Sequence, residues 1–261
     1  MSVRDDPLRR QLGASLEGVD GFLDITEAWQ LHESARQRAL AVDGPCAVEI
    51  GSWEGRSAIA LALGLRAAAK GGAVHAIDPH LHDTQAELEA NLERTGLRDA
   101  VEVLTMYSHD ARPRFADRSV DVLFVDGSHD YDDVMTDLDD WTSALRDGAV
   151  IAFNDPGWAG VYGVLRARTA RGPSPYRRPW FSFNTIFYEY RPNDPWTAED
   201  RRRMWRLHLF LLVKRRLEIF WVWSTPRLPD RGVSLLGLVM WGVTRALLRS
   251  SPYGPLSDQA P

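Results

Sequence analysis

The chain has 261 residues, of which 44% are hydrophobic and 26% charged, with one cysteine and a formal net charge of −5. That length suits one large α/β domain with an appendage, and the lone Cys46 excludes an intrachain disulfide and points to a reducing, cytoplasmic setting. The charged N-terminus lacks the apolar core of a signal peptide, and no apolar run reaches the roughly 18–20 residues that span a bilayer.

Residues 1–44 read as an N-terminal helical segment, with one helix from Asp6 to Leu16 and an amphipathic one from Ile25 to Ala41 that stops before Asp43-Gly44-Pro45. From 45 to 192 strand and helix alternate. Short apolar strands are predicted at Cys46–Ile50, Ala73–Ile77, Val101–Met106, Val120–Val125 and Ala149–Phe153. Helices are predicted at Arg56–Lys70, Thr84–Thr95, His109–Phe115, Tyr131–Arg146 and Trp158–Arg168. This rhythm predicts a doubly wound, Rossmann-like parallel sheet with helices on both faces and ligands at the carboxyl ends of its strands. After a loop at 171–175, Trp180–Asn184 and Thr185–Tyr190 read as an antiparallel hairpin closing the sheet.

Residues 193–261 form a C-terminal helical appendage, with helices at Thr197–Trp223 and Val233–Leu248 and a break at Pro226–Arg231. Charge is divided unevenly: residues 164–261 carry a net +10 and residues 1–163 a net −15. The basic helices are open to three uses: docking on the acidic half, docking on a second subunit in a homodimer, or peripheral contact with an anionic membrane. No nucleic-acid partner is expected.

The first site candidate is Cys46-Ala-Val-Glu-Ile-Gly-Ser-Trp-Glu-Gly-Arg-Ser57. A buried strand, a turn with Gly51 and Gly55, and a helix opening at Ser57 make a corner that can take a nucleotide-like ligand or serve only as a tight βα connection. The pattern Glu49-x-Gly51-x-x-x-Gly55 is not the dinucleotide fingerprint. Asp78 ends the second strand, where a carboxylate can accept both hydroxyl protons of a ribose or simply cap a turn before Pro79.

With that glycine turn, an acidic end to the second strand and a terminal hairpin, residues 46–190 resemble a class I S-adenosylmethionine-dependent methyltransferase. The resemblance implies Gly51 beside the methionine part of the cofactor, Asp78 on its ribose, Tyr107 and Ser108 near its adenine, and Glu49 and Ser57 also among the cofactor-binding residues.

A second constellation lies at the ends of the fourth and fifth strands, in Asp126-Gly-Ser-His-Asp-Tyr131 and Asn154-Asp155. In the predicted sheet these ends are adjacent, so Asp126, Asn154 and Asp155 offer three oxygen ligands suited to Mg²⁺ or a similar divalent ion. The layout resembles the metal-dependent sugar O-methyltransferases. That branch implies an acceptor hydroxyl on a sugar, glycoside or oligosaccharide, as in a methyltransferase of methylmannose polysaccharide synthesis, with His129 as general base. A His129 that only caps the following helix is the plainer alternative. Asn154, where many of these relatives carry a carboxylate, is a departure. Dense aromatics and arginines follow (Tyr162, Tyr176, Arg177, Arg178, Trp180, Phe181, Phe183). Trp158, three residues after Asp155, is the candidate for stacking on the acceptor. A catechol-like acceptor, an oxidoreductase on the same fold and a silent membrane-associated binding module are the competing readings.

Overall fold

A computed structural model describes residues 6–170 and 172–224, with side chains given to residue 216 in the last helix. The expected break at Pro226–Arg231 and helix at Val233–Leu248 lie outside the described residues. Helices α1 (Pro7–Leu16) and α2 (Ile25–Ala41) precede an alternating run of β1 (Cys46–Ile50), α3 (Arg56–Ala67), β2 (Ala73–Ile77), α4 (Gln85–Arg94), β3 (Val101–Leu104), α5 (Ser108–Ala111), β4 (Val120–Val125), α6 (Tyr131–Thr142), β5 (Leu145–Asn154) and α7 (Ala159–Thr169). The hairpin β6 (Tyr176–Ser182) and β7 (Thr185–Tyr190) and helix α8 (Ala198–Ser224) follow among the described residues.

The seven strands lie in the order β3-β2-β1-β4-β5-β7-β6, with β1 to β5 parallel and β7 antiparallel to both β5 and β6. The order reverses between β1 and β4, so a crevice opens at their carboxyl ends. Every residue of β4 is buried, as a strand covered on both faces requires. One apolar layer joins the sheet to α1–α4 through residues such as Leu31, Ile59, Leu61 and Phe124. The other joins it to α6–α8 through Trp141, Phe153, Val164 and Phe210. The N-terminal segment is therefore part of the main core. α2 lies so close to α3 that a Cβ at Gly64 would overlap the His32 carbonyl.

Several boundaries differ from those expected, for local reasons. Arg146 was expected in the helix after β4, yet β5 starts at Leu145. Its guanidinium reaches the fully buried Asp121 carboxylate at 3.1 and 3.2 Å, a group that also accepts from Arg38 and the Cys46 backbone N–H. A buried charge needs such partners, and they draw the chain into the sheet four residues early. The hairpin turns at Phe183-Asn184 rather than beyond it, with Phe183 at φ +47°, so Asn184 sits at the tip and β6 extends back to Tyr176. β3 ends at Leu104, two residues short of the expected Met106. Pro179 is tolerated because β6 is an edge strand, beside a register shift between Arg177 and Trp180.

Candidate active site

The loop from β1 to α3 crosses the end of β4 at very short range. Gly51 has φ +89°, and a Cβ there would overlap the backbone carbonyl of Asp126. Its N–H donates to Ile77 O at 2.8 Å, which fixes the loop to β2 as well. Asp78 completes the hold: Oδ2 accepts from Ser52 N at 2.8 Å and Trp53 N at 3.1 Å, and Oδ1 from His80 N at 2.7 Å. These three bonds leave some of the carboxylate's lone-pair capacity for a ligand, so Asp78 is at minimum the clamp of the glycine loop.

Glu49 is completely buried on β1, and neither of its oxygens makes a well-aligned hydrogen bond, although the Ser57 and Ser52 hydroxyls lie close to it. Burial pushes its carboxyl up to about 8; the nearby Ser57 and Ser52 hydroxyls oppose that shift, and the charge of Asp78 adds to it. Ser57 lies buried in the first turn of α3. A buried carboxylate without a partner costs several kcal/mol when ionised, on the order expected for an unpaired buried charge, so it either holds a proton or awaits a cation.

Tyr107 and Ser108 stand at the start of α5. Tyr107 is exposed, whereas Ser108 Oγ donates to Asp137 Oδ1 of α6. The serine is thus engaged by its own fold on the α6 side.

The second cluster forms where β4, β5 and the hairpin tip meet. His129 Nε2 lies 3.1 Å from Asp155 Oδ2 and 4.0 Å from Asp126 Oδ1. The shorter contact is an ion pair by distance without the alignment of a good hydrogen bond. The Asp155 carboxylate raises the imidazole's pKa against the opposing effect of burial, with Asp126 and Asp130 adding to it. Burial, with the nearby charges of Asp155 and Glu49, pushes Asp126 up to about 8, and the Asn154 amide and His129 partly offset this. The Trp158 ring, 60% exposed, lies 4.9 Å from the His129 ring and is tilted 40° to it.

Three residues that the linear sequence did not single out hold this cluster. Asn184 donates from its side-chain amide to Asp155 Oδ1, and its carbonyl accepts from Asp155 N at 2.9 Å. Asp155 adopts φ +50°, and these two bonds over-determine that uncommon backbone. Glu27 of α2 accepts at Oε1 from Asn184 N at 3.0 Å, and the same oxygen lies 2.6 Å from Thr185 Oγ1. Lys214 of α8 donates to Asn184 Oδ1 at 2.7 Å. Asn154 turns its oxygen to Thr185 Oγ1 at 3.0 Å and its amide group to Asp126. In this arrangement it orients Asp126 rather than presenting an oxygen to an ion. Among the described residues no group of three His, Cys, Asp or Glu side chains is arranged to hold a metal.

Most of the remaining aromatics are structural. Tyr176, Trp180 and Phe181 are buried, and Arg177 is paired with Asp200 at 3.0 Å beneath the Trp196 ring. Only Trp158 and Phe183 among those singled out stand exposed near the cluster. Cys46 packs against the core, and burial pushes its thiol up to about 12.

This strand order, with a glycine loop at the switch point and an acidic end to β2, is the architecture of class I methyltransferases. Residues 48–156 match a methyltransferase domain family. The matched span runs from β1 to the Asn154-Asp155 pair, and so contains both clusters. Solved structures share its fold. Cofactor-bound Rv0187 from MTB is 20% identical, with 74% of this chain and 94% of that one covered at a TM-score of 0.56. An O-methyltransferase from Bacillus cereus in complex with SAH is 20% identical, with 73% and 94% covered at 0.55. TomG, an O-methyltransferase from Streptomyces achromogenes involved in tomaymycin synthesis and solved with SAM, is 19% identical, with 73% and 92% covered at 0.53. No curated protein matches the chain in sequence.

Proposed function

We propose that the chain is an S-adenosylmethionine-dependent O-methyltransferase that methylates a hydroxyl of a sugar or glycoside. The observation that carries the cofactor assignment is the orphaned carboxylate of Glu49. It lies between the loop clamped by Asp78 and the β4 end at Asp126, where a cationic ligand would relieve it. S-adenosylmethionine, when bound, supplies an electrophilic methyl group on a sulfonium beside an ammonium, so the ligand brings the positive charge that the site lacks. The SAM and SAH held by TomG and the Bacillus cereus enzyme on the same fold support this reading.

The chain's own residues then have distinct tasks. Gly51 lets the loop approach β4 closely, Ser57 opens the helix that faces the ligand, and Asp78 holds the loop and offers its remaining acceptor capacity to a ribose. Tyr107 is the residue left free to border the adenine. Trp158 stacks on the acceptor and confines it beside His129. His129 takes the hydroxyl proton on Nδ1, while Asp155, 3.1 Å from Nε2, holds the other side of the ring and so fixes the tautomer for that transfer.

By donor chemistry, Asp126 and Asp155 fit a hard divalent ion such as Mg²⁺, because both present carboxylate oxygens and burial leaves Asp126 short of positive charge. Asn154 joins them as a ligand if its amide turns its oxygen inward, and otherwise acts through Asp126. When bound, the ion supplies Lewis acidity that lowers the pKa of the acceptor hydroxyl.

The test is calorimetry with S-adenosylhomocysteine, followed by methyl transfer to a panel of glycosides and catechols with Mg²⁺ or EDTA. Absence of cofactor binding would sink the whole reading. Turnover that ignores EDTA would remove the ion, and transfer to catechols alone would change the acceptor class.

A further inference from the structure

α8 presents two unlike faces. Met204, Leu207, Phe210, Leu211 and Lys214 are buried, and the helix packs against β6 and α7. Between residues 201 and 216 the exposed positions are Arg201, Arg202, Trp205, Arg206, Leu212 and Arg216. Spacings of four and seven residues put them along one side of the helix. Trp205 is 66% exposed and Leu212 44%. None of these four arginines forms an ion pair among the described residues, whereas Arg203 is paired with Glu199. The outer face is therefore a strip of unneutralised guanidinium groups flanking two large apolar side chains, with no carboxylate in it.

We propose that this face is a docking surface for an anionic lipid bilayer, on which the protein lies. Charge complementarity selects that occupant. A second copy packed through the same face about a two-fold axis would set arginine against arginine. The chain's own residues 225–261 hold Arg227, Arg231, Arg245 and Arg249 against Asp230 and Asp258, so they add positive charge. A membrane surface supplies negative headgroups for the guanidinium groups and an interface in which tryptophan and leucine both settle. No described helix is long and apolar enough to cross a membrane, which agrees with lying on it. The inner face of the same helix reaches the hairpin tip through Lys214 and Asn184, so docking would set the acceptor side of the domain close to the lipid.

The experiment is co-sedimentation of the full chain with vesicles of phosphatidylcholine alone and of phosphatidylcholine with about a third phosphatidylglycerol, at low and high salt. Binding is expected only to the anionic vesicles, weaker at high salt. The double variant Arg202→Glu/Arg206→Glu should lower it at least tenfold, since each arginine near an anionic surface is worth about fivefold in affinity. Trp205→Ala should weaken binding at either salt. S-adenosylhomocysteine titration of each variant reports an intact fold and tests the methyltransferase reading separately. Equal binding to neutral vesicles, binding unchanged in the double variant, or a dimer broken by charge reversal without vesicle binding would each overturn the proposal.

Discussion

Glu27 Oε1 lies 2.6 Å from Thr185 Oγ1, joining the first turn of α2 to the tip of the terminal hairpin. Thr185 Oγ1 is also 3.0 Å from Asn154 Oδ1, and a single hydroxyl proton cannot serve both acceptors. Both contacts are satisfied when Glu27 is protonated and donates to Thr185 Oγ1, which then donates to Asn154. Burial, which pushes the Glu27 carboxyl up to about 7, favours that state near neutrality. Thr185→Val keeps the shape and removes the hydroxyl. Turnover should fall about tenfold, on the order of 1.4 kcal/mol of transition-state positioning, with S-adenosylhomocysteine affinity unchanged and Thr185→Ser restoring the rate. Asp24→Ala removes the cap of α2 but leaves the hairpin contact. It should lower stability by about 1 kcal/mol in urea unfolding without this loss of rate.

The role proposed for Glu49 would tie cofactor binding to pH. The unfolded chain ionises this group near 4.5, whereas the folded protein without ligand holds the proton to about 8. The folded state thus binds more protons across that window. Its contribution to stability is complete below pH 4.5 and is lost as pH rises through 8. Thermal melts from pH 5 to 8.5 should show this decline, and Glu49→Gln should make it shallower, leaving the part that Asp126 and Glu27 contribute in the same window. A bound cation favours the ionised carboxylate, so S-adenosylmethionine should release a proton at pH 7 and bind more tightly toward pH 8. Calorimetry in buffers of different ionisation enthalpy measures that proton, and its absence would argue against Glu49 facing the cationic part of the cofactor.

His129→Ala should lower the rate constant for methyl transfer by about 10²–10⁴ while leaving S-adenosylhomocysteine affinity within about twofold of the parent. Single-turnover kinetics at saturating cofactor separates the two effects. A variant with full turnover would reduce His129 to a packing partner of Trp158.

Gly51→Ala should fail in a different way. A side chain at φ +89° costs about 1–2 kcal/mol in backbone strain alone, and the overlap with the Asp126 carbonyl adds to that. The loop must retreat from β4, so cofactor affinity and thermal stability should fall together, as calorimetry and a melt would show.

Much of the frame is legible in the linear order of residues. β1, β2, β4 and β7 occupy the predicted positions because each is a short run with few competing helical signals, bounded by glycine, proline or charged residues. Asp126, His129 and Asp155 are legible as a cluster because strand ends adjacent in a parallel sheet bring their following residues together. Asn184, Lys214 and Glu27 were not. Nothing local distinguishes a hairpin-tip asparagine, a helical lysine or a capping-box glutamate from ordinary ones, and Glu27 reaches Thr185 only across the whole sheet.

By itself the sequence determined the alternation of strand and helix, the glycine corner and the acidic strand ends. These depend on periodicity and on backbone constraints that act within a few residues. Only the tertiary structure decided which groups are left without partners. It buried Glu49 without a well-aligned hydrogen bond, gave the Asn154 oxygen to Thr185, set His129 between two carboxylates, and left a row of arginines on the outside of α8. Each of those outcomes depends on desolvation and on contacts between distant segments, which exist only once the chain has folded.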